Sequence, residues 1–176
     1  MPAAPLDLDA LALRISGSLL RLRASSPFFG ALSLFARFVP TSEVPTACTD
    51  GRDVFYNPAF VADLVKEELD GLLLHEVLHA ALLHGVRRGK RDRTRWGIAA
   101  DIVVNGIVAA QPGMKLPATP VRAPQIEHLS VEEIYALGED QADSIDIFDE
   151  DYLARISKIK LPNTKIQLLQ KLLAKA

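Results

Sequence analysis

The stretch Gly71-Leu72-Leu73-Leu74-His75-Glu76-Val77-Leu78-His79-Ala80-Ala81-Leu82-Leu83 decides how the chain is read. Its apolar density predicts a buried helix, running from about Glu68 to Arg87, and within it two histidines stand four residues apart with a glutamate beside the first. Residues four apart on an α-helix differ by only about 40° in azimuth and one turn in height, so both imidazoles face one point. That spacing suits a tetrahedral Zn²⁺ held through two nitrogens, with Glu76 placed to act on a water. The alternative is a helix that buries two imidazoles and a carboxylate among leucines by chance, and uncompensated polar groups there are costly. The metal reading is the stronger one.

A catalytic zinc usually takes three protein ligands and keeps one open position. His84 lies five residues after His79, about 140° round the helix, and so points away from the metal, which makes it a surface or second-layer histidine. The metzincin pattern also fails, because positions 82 and 85 carry Leu82 and Gly85. Helix geometry selects Asp101. From His79 to the break near Arg88 is about 13 Å of helix, and from Thr94 back to Asp101 about 10 Å, so an antiparallel pair brings Asp101 level with the histidines. The run Ile98-Ala99-Ala100-Asp101-Ile102-Val103-Val104 is apolar, and an acid buried there needs a partner. A metal supplies one; a salt bridge to an arginine of the 87–95 segment is the competing role. Asn105, one turn on, could accept the distal N–H of His75 or His79 and so fix its tautomer.

Around this centre, Leu8, Leu11, Ala12, Ile15, Leu19 and Leu22 keep helical spacing and predict a first amphipathic helix ending near Ser25-Ser26-Pro27. Between Ala31 and Tyr56 two or three short strands are expected, with Asp50-Gly51 as a hairpin signal. Asn57-Pro58 opens a short helix, a further helix runs from Asp92 or Thr94 to about Ala110, and Gln111-Pro112-Gly113 stops it. Ser130-Val131-Glu132-Glu133 is a capping box for a short helix to Leu137.

The 176 residues suffice for one self-sustaining core. Twenty Lys and Arg against 22 Asp and Glu, a net charge of -2, give no global attraction to nucleic acid or an anionic membrane. Six bases crowd Arg87 to Arg95, but without interleaved aromatics they read as a solvated turn, which argues against nucleic acid as a partner. No apolar run is long enough for a membrane span. The lone Cys48 and the acidic N-terminus suit a reducing compartment, and the expected location is cytoplasmic. Past Gly138 the chain turns strongly acidic and then basic. The expected organisation is a domain over 1–138 and an acidic linker with helical tail over 139–176.

The pattern of His75, Glu76 and His79, followed by an acid 22 positions later, resembles the gluzincin arrangement of zinc peptidases, with Asp101 where Glu is usual. More closely, about 110 residues from Phe28 to Leu137 are similar to a bacterial metallopeptidase domain that usually precedes a von Willebrand factor A-like domain. The shared pieces are Thr49-Asp50-Gly51, Tyr56-Asn57-Pro58, Leu74 to Ala80, Trp96 with Ala99-Ala100-Asp101 and Asn105, and Leu129-Ser130 with Glu132-Glu133-Ile134-Tyr135. The resemblance implies Asp101 as third ligand and a MoxR-type AAA+ ATPase as partner. No von Willebrand-type domain follows here; instead residues 146–176 resemble a helical segment of type I restriction enzyme R subunits. No phosphate loop of the GxxxxGK[ST] form occurs, so no motor function comes with that resemblance.

The expected fold is therefore α+β and zincin-like: a small antiparallel sheet packed on the His75/His79 helix, a following antiparallel helix with Asp101, and a C-terminal helical appendage. The expected function is zinc-dependent hydrolysis of peptide bonds in a peptide or protein substrate laid along a sheet edge near Leu34 to Val39, with Glu76 as general base. Tyr135 and His128 are candidates for stabilising the transition state. The rival readings are a non-catalytic, zinc-stabilised interaction module, and an accessory protein of an AAA+ ATPase or a restriction system.

Overall fold

The computed structural model describes residues 6–117 and 120–139. Among them the chain is α+β, with seven helices and one three-stranded sheet. The described residues divide into two compact units, one running up to Gly89 and including 107–117 and Pro120, the other formed by Lys90–Gly106 and 121–139. The expected boundary at 138/139 falls at the edge of the described residues, and the expected tail helices lie outside them.

In the first unit, α1 (Leu8–Ser25) is capped by Asp7, whose carboxylate accepts the Ala10 N–H. It ends where Ser26 and Pro27 start α2 (Pro27–Ser33), proline at the first helical position being compatible with its missing N–H. Three strands follow: β1 (Arg37–Pro40), β2 (Ala47–Thr49) and β3 (Asp53–Tyr56). The Asp50-Gly51 signal holds. β2 and β3 form an antiparallel hairpin, and Gly51 takes a positive φ of 96° in its turn.

The sheet is mixed, not antiparallel as expected, because β1 pairs parallel with β3 in the order β1-β3-β2. The cause is the link between β1 and β2. The Thr41 N–H donates to Tyr56 O and the Asn57 N–H to Thr46 O, while the Asn57 side-chain amide donates to Val44 O. The link is thus pinned across the end of β3, and β2 lands on the far side of β3 instead of turning back beside β1.

Asn57 also caps α3 (Pro58–Asp63), accepting the Ala59 and Phe60 N–H groups. The carbonyls at its other end are met by Arg14, whose guanidinium donates to Val61, Ala62 and Leu64. Next comes α4 (Lys66–Ala81), in which Glu68 accepts the Val65 N–H and acids fill the first turn, favourable at the positive end of a helix. Leu69, Leu72 and Leu73 bury one side of α4 with Leu11, Ile15, Tyr56, Val61 and Leu64, so α1, α3, α4 and β3 share one core.

The helix expected to continue to Arg87 breaks. Leu83 adopts the left-handed conformation, φ 55°, and a separate turn, α5 (His84–Arg87), begins after it.

In the second unit, most of α6 (Arg93–Ala109) packs Trp96, Ala99, Ala100 and Ile102 with Ala123, Ile126, Leu129, Val131, Ile134 and Tyr135. The capping box forms as read: the Ser130 hydroxyl accepts the Glu133 N–H, and Glu133 accepts the Ser130 N–H, opening α7 (Val131–Glu139). No helix among the described residues is long and apolar enough to cross a membrane.

Candidate metal centre

His75 and His79 lie on successive turns of α4, both half-buried, on a helix whose Leu73, Leu74, Val77 and Leu78 are almost fully enclosed. Because α4 is held by its apolar residues, the polar edge that carries the histidines is fixed rather than free to roll. Their Nε2 atoms stand 3.0 Å apart, with ring centroids at 4.5 Å. Two nitrogens bound to one tetrahedral ion at ordinary zinc–nitrogen lengths stand about 3.3 Å apart, so the pair is nearly at ligand spacing. Glu76, next to His75, is 6% exposed. A carboxylate this enclosed is costly unless a cation or hydrogen-bond donors meet it.

Asp101 sits in α6, half-buried in its apolar run. Among the described residues, His75, His79 and Asp101 are the candidate metal ligands. Two imidazoles and one carboxylate are a donor set that zinc accepts.

His84 is not at the surface, the first of its two expected places, but lies behind His79, the second. It does not point away from the other histidines: its Nδ1 lies 3.1 Å from Nδ1 of His79, the rings meet edge to face, and the residue is 3% exposed. The extrapolation along one helix fails because Leu83 interrupts that helix and α5 restarts with His84 at its head. Nothing in the residue types of Leu82-Leu83 announces a left-handed turn, since glycine or asparagine is the usual occupant.

Asn105 is buried, and its side-chain amide donates to Val121 O at 2.8 Å. The Tyr135 hydroxyl accepts the Asp92 N–H at 3.1 Å, just ahead of α6, and its ring and that of Trp96 are covered by the guanidinium of Arg91. At least one base of the 87–95 segment is therefore packed on aromatics instead of solvated. The 87–95 run carries no aromatic of its own, and only the return of α7 supplies Tyr135. His128 is half-buried, and its Nε2 is enclosed without a hydrogen bond among the described residues.

Fold and site together define an α+β protein whose buried helix presents a histidine pair at metal-ligand spacing, with the buried Glu76 beside it. The chain belongs to the family described as "Putative metallopeptidase domain", whose model matches residues 13–149. Residues 123–176 also match the model described as "Type I restriction enzyme HindI endonuclease subunit-like, C-terminal". A curated protein of Thermotoga maritima, described only as "Uncharacterized protein", is 27% identical over 107 residues, covering 57% of this chain and 27% of that relative. The matched part is thus about a quarter of the relative's length. No solved structure matches.

Proposed function

We propose that the protein is a zinc-dependent peptidase of the zincin type, with His75, His79 and Asp101 as metal ligands and Glu76 as general base. The observation that carries this reading is the 3.0 Å approach of the two Nε2 atoms on the helix that also carries the buried Glu76. The family description supports the same class of chemistry. A bound Zn²⁺ supplies a Lewis acid and a water made acidic enough to lose its proton near neutral pH.

The chain's own residues do the rest. The Glu76 carboxylate takes the proton of the attacking water and delivers it to the amine nitrogen that leaves, since a peptide nitrogen departs only once protonated. Leu73, Leu74, Val77 and Leu78 keep the helix immobile, so the two imidazoles need little reorganisation. An extended substrate adds to the sheet at β1, an edge strand that begins at Arg37 and not at Leu34.

The test is Glu76→Gln measured beside wild type for zinc content and for cleavage of a broad peptide library. Zinc should stay bound while turnover falls by about 10²-fold or more. A wild type that holds zinc and cleaves nothing would leave the interaction-module reading instead.

A further inference from the structure

We infer that His84 is a positioning residue that holds His79 in its metal-ligating tautomer. The inference rests on the metal site of the peptidase reading, and on no catalytic step. His79 has two ring nitrogens, each facing a different histidine: Nε2 faces Nε2 of His75 at 3.0 Å, and Nδ1 faces Nδ1 of His84 at 3.1 Å. A neutral imidazole that offers Nε2 to a cation must carry its one proton on Nδ1, and that N–H then requires an acceptor. At 3.1 Å Nδ1 of His84 is in place to be that acceptor, which puts the proton of His84 on its own Nε2, a buried atom that makes no hydrogen bond among the described residues. With the opposite assignment, Nδ1–H of His84 donating to His79, the proton of His79 sits on Nε2 and blocks the metal. The place of the proton on His84 is thus coupled to whether His79 is a ligating or a blocked imidazole.

The backbone is arranged for this contact. A straight continuation of α4 would carry residue 84 away, and the left-handed Leu83 turns the chain so that α5 opens with His84 enclosed beneath His79. The rings meet at 81°, with centroids 5.0 Å apart, so His84 also blocks rotation of the His79 ring. Outer partners of metal-bound histidines are carboxylates, carbonyls or waters in most sites, and loss of such a partner weakens metal binding about 10- to 100-fold.

The experiment measures Zn²⁺ affinity of the full chain by competition with a chromophoric chelator, for wild type, His79→Ala, His84→Phe, His84→Asn and His84→Gln. Thermal unfolding of each metal-free protein is recorded alongside. Asparagine can set its amide oxygen where Nδ1 stood, whereas glutamine reaches to the place of Nε2. The expected result is an affinity lowered about 10- to 100-fold in His84→Phe and His84→Gln, and largely recovered in His84→Asn. If phenylalanine prevents folding, the Asn-to-Gln contrast carries the same information. Equal affinity in wild type and the His84 variants, with His79→Ala still defective, would overturn the role of His84 alone. Wild type binding no more tightly than His79→Ala would instead remove the metal site itself.

Discussion

Gly71 and Lys115 meet backbone to backbone: a Cβ built on Gly71 would collide with the carbonyl oxygen of Lys115. The same segment is tied to the start of α4, since the Lys115 N–H donates to Glu67 O at 3.0 Å. Gly71→Ala should therefore lower stability by about 1–3 kcal/mol, because the obstacle is main chain and cannot swing aside. Urea unfolding of the metal-free protein measures it; a variant as stable as wild type would show that the Lys115 segment does not press on the helix.

Leu83 carries an unfavourable left-handed backbone at a half-exposed site. Leu83→Gly should raise stability by about 1 kcal/mol, offset in part by the greater freedom of glycine in the unfolded chain. Leu83→Val should lower it, since a β-branched residue tolerates positive φ worst. Melting temperatures of the two variants give the sign directly.

Asp101→Ala should weaken zinc retention by more than about 100-fold, since loss of a direct ligand outweighs loss of an outer partner. Metal analysis after dialysis against a weak chelator reads this out. Unchanged occupancy would exclude Asp101 as a ligand.

Asp70 is buried in the first unit, where the Ser18 hydroxyl and the Arg21 guanidinium both donate to its carboxylate. Asp70→Ala leaves both donors without their acceptor and should cost about 2–3 kcal/mol, while Ser18→Ala should cost about 1 kcal/mol. Denaturant midpoints should follow that order.

Stability should also fall on acidification through the carboxylates at the start of β3 and in the turn before it. The Arg37 guanidinium, hydrogen-bonded to Asp53, holds that carboxyl below its ordinary value of 3.8. Backbone N–H groups of Asp53 and Arg52 do the same for Asp50. A folded-state value below the unfolded one stabilises above the ordinary range, and the gain is lost as pH falls through it. Unfolding from pH 5 to pH 2 should show this loss at about pH 4 and below, and Asp53→Asn should flatten part of the slope.

Local chemistry made much of the molecule legible in advance. Asn57-Pro58 opens a helix because the amide caps and the proline lacks only an N–H that would have gone unused. Asp50-Gly51 turns a hairpin because glycine accepts positive φ. The spacing of His75 and His79 brings two nitrogens together because four residues make about one turn. Each of these depends on a few consecutive residues. Tertiary structure alone decided that β1 runs parallel to β3, since a link pinned over the end of that strand sets its direction. It alone turned the chain at Leu83, where a leucine is held in a conformation that its own preferences oppose, and so put His84 against His79. Such choices are paid for by packing and hydrogen bonds from distant residues, which no local window of sequence contains.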